Sequence, residues 1–185
     1  AEGAWIWDKN SRRYLDFYGG HAVISIGHSH PTYVREINEQ LQQIGFYSNS
    51  VQNSLQGRLA ERIVSASGYD KHSVFLVSSG AEANENALKL ASFHTNRSNI
   101  ISFSGGFHGR TSAAVAVTDN PAIISPLNAQ QRTVRLPFGD EAALQHELEK
   151  ESAAAVIIEG IQGVGGIVIP DAAFLKKLRL LTRDT

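Results

Sequence analysis

Three stretches hold the residues whose types and spacing could do chemistry. The first is Ser78-Ser79-Gly80-Ala81-Glu82-Ala83-Asn84-Glu85-Asn86-Ala87-Leu88-Lys89-Leu90-Ala91, which follows the apolar run Val74 to Val77. Ser79 and Glu82 stand at the spacing of a capping box, and Gly80 removes the side chain where the backbone has to turn. A helix starting there presents free N–H groups from Gly80 and Ala81, with the positive end of the helix dipole behind them. That is an anion site suited to a phosphate; an ordinary capped helix is the other reading of the same residues. The second stretch, Gly105-Gly106-Phe107-His108-Gly109-Arg110-Thr111, joins a glycine-rich turn to an aromatic ring, an imidazole and a guanidinium. A planar ligand can stack on Phe107, and Arg110 can grip a carboxylate through two parallel hydrogen bonds. Taken alone, the segment also reads as a flexible loop with one core Phe and a surface Arg. The third is Glu159, which ends an otherwise apolar strand candidate, where a charge is costly unless it is paired.

Other candidates carry less. His28 and His30 flank Ser29 before Pro31, a spacing that imitates a metal pair, but no carboxylate cluster stands nearby, so the reading is structural and no metal is expected. Ser78 and Ser79 sit where serine serves as a cap, which leaves no Ser-His-Asp arrangement. Gly163-Val164-Gly165-Gly166 lacks the dinucleotide spacing and precedes the β-like run Ile167 to Ile169; with no Walker lysine motif either, another phosphate-ligand α/β enzyme is disfavoured. Lys9, Lys71, Lys89, Lys150, Lys176 and Lys177 fall in turns or on charged helix faces, where a solvated ammonium is expected. A Schiff-base lysine needs a desolvated or cation-adjacent position instead.

The elements that must position these groups follow from the apolar periodicity. Trp5-Ile6-Trp7 and Tyr14-Leu15-Asp16-Phe17, joined by a polar turn, predict a hairpin. Val34, Ile37, Leu41 and Ile44 recur at helical spacing up to Gly45, and Leu55, Leu59, Ile63 and Val64 up to Gly68. Strands are expected at Val74 to Val77, Ile100 to Phe103, Thr133 to Leu136 and Ala154 to Ile158. Helices are expected at Ala81 to Phe93, Glu141 to Lys150 and Ala172 to Leu181. This alternation implies an α/β fold with a mainly parallel sheet and helices on both faces, ligands lying at the carboxyl ends of the strands. Ser79 to Ala81, Ser104 to Arg110 and Glu159 to Gly163 each lie just past a strand candidate, so one crevice can collect all three.

The chain has 185 residues, 42% hydrophobic and 19% charged, enough for a sizeable core. Seventeen basic against eighteen acidic residues give a net charge of -1, so no electrostatic case exists for nucleic acid or an anionic membrane. Cysteine is absent, which excludes disulfides and thiolate metal sites. With no apolar run near ~18 residues and no signal peptide, the expectation is a soluble cytoplasmic protein. A start at Ala1 inside an apparently structured segment, and the lack of any methionine, are expected of an excerpt from a longer polypeptide.

Taken together, the chain resembles the class III, ornithine-type aminotransferases of the pyridoxal-phosphate fold type I superfamily, most closely those acting on N-acetylornithine or N-succinylornithine in arginine biosynthesis. The resemblance rests on Trp7-Asp8, Tyr14-Leu15-Asp16-Phe17, Gly27-His28-Ser29-His30-Pro31, Ser79-Gly80-Ala81-Glu82-Ala83-Asn84-Glu85, Phe107-His108-Gly109-Arg110-Thr111 and Ile158-Glu159-Gly160-Ile161-Gln162-Gly163, in that order. It implies a small amino-terminal β segment at 1–31, a connecting helix and loop at 32–52, and an incomplete pyridoxal-phosphate-binding large domain at 53–185. By the same resemblance, Ser79, Gly80, Ala81, Phe107, His108 and Glu159 face the cofactor, with Gly80 and Ala81 on its phosphate, Phe107 stacked on its ring and Glu159 in support. Arg110 grips the substrate carboxylate, and His21 and Tyr18 lie where related enzymes meet the substrate.

The implied reaction moves the δ-amino group of an N2-acyl-ornithine to 2-oxoglutarate, in a homodimer. Ornithine itself or another ω-amino acid remains an alternative substrate. Two departures stand out. The family's Glu after Gln-Gly, which in ornithine-handling relatives pairs with a substrate-pocket arginine, is Val164 here. The chain also stops before the family's Asp-Glu-Val-Gln strand and before the Schiff-base lysine, which implies either half of an enzyme or an inactive fragment serving as a binding or dimerisation module.

Overall fold

The polar turn between the two aromatic segments closes an antiparallel pair, β1 (Trp5–Trp7) and β2 (Arg13–Leu15), with Trp5 opposite Leu15. The computed structural model describes residues 1–48 and 50–183. Asn49, in the expected connecting segment, and Asp184 and Thr185, at the end of the expected large domain, lie outside them. The chain divides into two compact units, Ala1–Val74 and Phe75–Thr185.

In the first unit β2 ends at Leu15, earlier than the expected Phe17, because Asp16 turns the chain. Its carboxylate accepts the N–H groups of Tyr18 at 2.9 Å and Gly19 at 2.8 Å, and His28 Nε2 at 2.7 Å. The hydrogen bond from His28, then those from Gly19 and Tyr18, hold the Asp16 carboxyl below the ordinary range. His28 is thereby engaged with the turn that follows β2. The next turn, α1 (Gly19–Ala22), has φ of 58°, 57°, 61° and 60° at its four residues and winds left-handed. Gly19 and Gly20 adopt this without steric cost; His21 and Ala22 do not. Pro31 opens α2 (Pro31–Gln43), and Gly68, with φ 72°, caps α3 (Ser54–Ser67). Val34, Ile37 and Leu41 of α2 and Leu55, Leu59 and Ile63 of α3 are exposed.

The second unit runs α4 (Gly80–Thr95), β3 (Asn99–Phe103), α5 (Ser112–Ala116), a 3-10 turn at Pro121–Ile123, β4 (Thr133–Leu136), α6 (Glu141–Leu148), β5 (Ala153–Val156) and α7 (Ala172–Arg183). Its sheet has the order β4-β3-β5, all parallel, with a register shift between Asn99 and Ile100 against β5. Successive residues of β3 point to opposite faces, and each face has its own cover. Ile101 and Phe103 join Leu136, Leu144, Leu148 and Phe174 under α6 and α7, where Phe103, Phe138 and Phe174 meet edge to face with ring centroids 5.7 to 6.3 Å apart. Ile100 packs with Ala154, with Leu88 of α4 and with Val117 just past α5. This is the doubly covered parallel sheet that strand–helix alternation implied. No helix among the described residues is long and apolar enough to cross a membrane.

One expected strand is corrected. Val74 to Val77 carry no regular secondary structure, and Phe75 and Leu76 are 70% and 48% exposed. A β-rich apolar run becomes a strand only against a neighbour; β3 is already flanked by β4 and β5, and among the described residues no strand pairs with 74–77. The strand expected at Ala154 to Ile158 runs from Ala153 to Val156, with one further ladder bond from the N–H of Ile157 to the carbonyl of Ile101.

Ser102, on the Ile100 face of β3, is fully buried, and its hydroxyl has no hydrogen-bond partner among the described residues. An unsatisfied buried hydroxyl destabilises the folded state. Ser102→Ala is therefore expected to raise the unfolding free energy by roughly 1 kcal/mol in urea titration; a loss of stability would show that the hydroxyl is satisfied.

Candidate functional site

Because β3 and β5 are parallel, their carboxyl ends lie at one edge of the sheet, and the chain leaving each builds a wall of the same region. The start of α4 supplies another wall. Ser79 is extended, with φ -156° and ψ 162°, and its Oγ accepts the N–H of Glu82 at 3.2 Å. The return half of the capping box is displaced by one residue, since Glu82 Oε2 accepts the N–H of Ser78 at 2.7 Å rather than that of Ser79. The first intrahelical bond runs from Ala83 to Ser79, so the N–H groups of Gly80 and Ala81 meet no acceptor among the described residues.

Gly109 brings the aromatic loop onto this helix start. Its φ is 131°, and a Cβ there would sit 2.5 Å from Ala81 Cβ and 2.9 Å from Ala81 Cα. Only glycine permits that approach. Ser79, Gly80, Ala81 and Asn84 then line one cleft of about 580 Å³ with residues 107–111. Phe107 is half-buried in it, while Arg110 is exposed and its guanidinium makes no hydrogen bond among the described residues.

The loop is fastened from several elements. Glu159 accepts the N–H of Phe107 at 2.8 Å through Oε1 and that of Gly163 at 3.1 Å through Oε2, tying the chain after β3 to the chain after β5. Asn84 Nδ2 donates to the carbonyl of His108 at 2.8 Å, and Gln162 Nε2 to that of Ser104 at 2.8 Å. Glu85 accepts the Thr111 hydroxyl at 2.7 Å and the N–H groups of Ala113 and Ala114 at 2.8 and 3.1 Å, acting as a cap on α5 from a neighbouring helix. His108 is buried with 6% of its surface exposed; burial pushes its pKa below the ordinary imidazole value, and the charge of Glu159 partly opposes the shift.

The structure thus brings Ser79, Gly80, Ala81, Phe107, His108 and Arg110 together, with Glu159 one hydrogen bond behind Phe107. Tyr18 and His21 belong to the first unit, where the Tyr18 hydroxyl lies 2.6 Å from His21 Nδ1. Sequence reasoning assigned no task to Asn84, Glu85, Thr118, Asp119, Arg135 or Gln162. Thr118-Asp119-Asn120-Pro121 carries only a turn signal, and Asn120 does cap the 3-10 turn; nothing in its spacing ties it to Gly105. All six lysines are exposed, and Lys150 pairs with Glu147.

The aminotransferase class-III family model matches residues 1–185. The chain is 40% identical over 186 residues to an acetylornithine aminotransferase of Streptomyces coelicolor, covering all of this chain and 46% of that protein. It is likewise 40% identical over 190 residues to a succinylornithine transaminase of Photorhabdus laumondii, with 98% and 46% covered. Among solved structures, the ornithine aminotransferase of Toxoplasma gondii superposes with a TM-score of 0.91 at 27% identity, over 99% of this chain and 45% of that one. A taurine:2-oxoglutarate aminotransferase of Bifidobacterium kashiwanohense, in complex with PLP and glutamate, does so with a TM-score of 0.85 at 25% identity, over 100% and 47%. The chain therefore spans about half the length of the curated relatives it matches.

The burial of His108 has a measurable sign. Its folded pKa lies below the unfolded value near 6.5, so the unfolded chain takes up a proton that the folded chain resists. Stability is full above that value and declines as the pH falls through it. The urea midpoint is expected to drop between about pH 7.5 and about pH 5.5, and the drop is expected to be smaller in His108→Gln; equal slopes would remove His108 as its source.

Proposed function

The chain belongs to the class-III aminotransferases and has the fold type I architecture of pyridoxal-phosphate enzymes, and from that premise we propose that it forms the phosphate cup, ring platform and carboxylate grip of an N2-acyl-ornithine aminotransferase. The observation that carries this reading is the seating of Gly109 on Ala81, which places an open helix start and an aromatic–guanidinium loop in one cleft. Pyridoxal phosphate, when bound, supplies the electron sink through which an amino group leaves one carbon and joins another.

The chain's own residues have separable tasks in this reading. Gly80 and Ala81 donate N–H groups to the phosphate with the α4 dipole behind them, and the Ser79 hydroxyl, whose oxygen is used by Glu82, keeps its proton to donate as well. Phe107 offers a face to the ring. Glu159 holds that face in place; with both oxygens already accepting backbone N–H groups, it serves as a support rather than as an acid or base. His108, neutral near pH 7 because it is buried, adds no charge beside the cup. Arg110, exposed in the cleft and free of hydrogen bonds among the described residues, grips the substrate carboxylate with its planar fork.

We further propose that the substrate is N2-acetyl-ornithine or N2-succinyl-ornithine and the acceptor 2-oxoglutarate, giving the δ-aldehyde and glutamate. The names of the relatives support this. Tyr18 and His21 are proposed to meet the substrate. No lysine lines the cleft among the described residues, so the Schiff-base lysine and the partner of the ring nitrogen are not assigned to residues of this chain. Homodimerisation and a cytoplasmic location complete the proposal, the former supported by the exposed Val34, Ile37 and Leu41 of α2 and Leu55, Leu59 and Ile63 of α3.

The test uses the full-length protein. It is expected to take up pyridoxal phosphate, to show a cofactor band that bleaches with N-acetylornithine and returns with 2-oxoglutarate, and to lose on the order of a hundredfold in kcat/KM in Arg110→Lys with cofactor affinity unchanged. Failure to take up the cofactor, or turnover by the isolated 185 residues that survives loss of Arg110, sinks the reading.

A further inference from the structure

Thr118 and Asp119 do not line the cleft, yet they grip the aromatic loop on both sides of Phe107. Asp119 Oδ2 accepts the N–H of Gly105 at 2.8 Å, and the N–H of Asp119 donates to the carbonyl of Gly106 at 2.7 Å. Thr118 Oγ1 accepts the N–H of His108 at 2.9 Å and lies 3.2 Å from the carbonyl of Gly109 and 2.9 Å from that of Ala114. A third element holds this dipeptide. Arg135, on β4, sets Nη1 at 3.3 Å from Asp119 Oδ1 and donates from Nη2 to the carbonyl of Thr118 at 3.0 Å.

The geometry points to Asp119 and Arg135 as a positioning pair for the ring platform. Their side chains are about a third exposed, 29% and 31%, and an ion pair with that exposure contributes little to stability by itself. What distinguishes this one is that each partner also holds backbone. The Arg135 guanidinium spans Asp119 and Thr118, and those two residues hold Gly105, Gly106, His108 and Gly109, the four neighbours that fix where Phe107 sits and where Gly109 meets Ala81. Among the described residues, the N–H of Phe107 is accepted by Glu159. Without the Asp119 carboxylate, the N–H of Gly105 loses its acceptor and Arg135 loses its ionic partner, which loosens the flank of the loop before Phe107. A platform displaced by even an ångström stacks poorly on a planar ligand. Neither residue touches the cleft, so the pair acts through the loop.

This rests on the cofactor reading above, and the experiment separates the two. Pyridoxal phosphate and inorganic phosphate are titrated separately into the full-length protein freed of cofactor, for the wild type, Asp119→Ala, Arg135→Gln, Arg135→Lys and the double variant Asp119→Ala/Arg135→Gln, with hydrogen exchange followed in residues 104–110. Each of the first two variants is expected to weaken pyridoxal phosphate about tenfold and to alter the circular dichroism of the bound cofactor, while inorganic phosphate, which needs only the helix start, shifts less than about twofold. Arg135→Lys is expected to recover part of the loss, the double variant to lose no more than the worse single one, and exchange in 104–110 to rise. Wild type that takes up no pyridoxal phosphate defeats the cofactor reading together with this inference. Wild type that binds while the variants bind equally, or losses that simply add in the double variant, defeats the positioning pair alone.

Discussion

The constraint on which the rest of the site depends is the contact between Gly109 and Ala81. A backbone without a side chain rests on the first turn of α4, and any Cβ at that position would overlap Ala81. Everything in the cleft is registered to this contact. It sets how far Phe107 stands from the free N–H groups of Gly80 and Ala81, and it brings Thr111 within 2.7 Å of Glu85, whose carboxylate then caps α5. The contact is in turn held by the sheet, because the loop leaves β3 at Phe103, a residue that is almost fully buried among aromatic neighbours. Core packing thereby fixes the root of the loop, and glycine fixes its tip.

Much of this was legible in the residues because short-range physics writes it there. Ser79 and Glu82 announce the start of α4, and the α4 interval, the order of strands and helices, and two-faced cover of the sheet follow from periodicity. The capping box showed where legibility ends, since Glu82 reaches Ser78 in place of Ser79, a choice made by side-chain torsion rather than by spacing. Val74 to Val77 failed for a deeper reason. An apolar β-rich run states a preference, but a strand is a relation between two segments, and the partner is not encoded in the run itself. The ties from Asp119, Glu159 and Gln162 to the loop cross sequence separations of 14, 52 and 58 residues, and no local pattern marks them. Glu159 was singled out because a carboxylate ending an apolar strand demands a partner; Asp119, in a polar turn, made no such demand.

Electrostatics gives the same arrangement a second meaning. The cleft proposed to receive a phosphate is surrounded by carboxylates, with Glu82 and Glu85 on α4 and with Asp119 and Glu159 holding the loop. Unanswered, such charges would repel an anion. Each is instead turned onto donors of the protein: Glu82 onto Ser78, Glu85 onto Thr111, Ala113 and Ala114, Asp119 onto Gly105 and Arg135, Glu159 onto Phe107 and Gly163. Among the donors at the cleft that meet no acceptor among the described residues are the N–H groups of Gly80 and Ala81 and the guanidinium of Arg110. The acidic residues thus spend their negative charge on donors of the protein, and the guanidinium of Arg110 stands in the cleft without such a partner among the described residues, although the chain as a whole is nearly neutral. Anion selectivity in such a cup is a matter of which donors are already occupied, and a count of charged residues around it would have given the opposite sign.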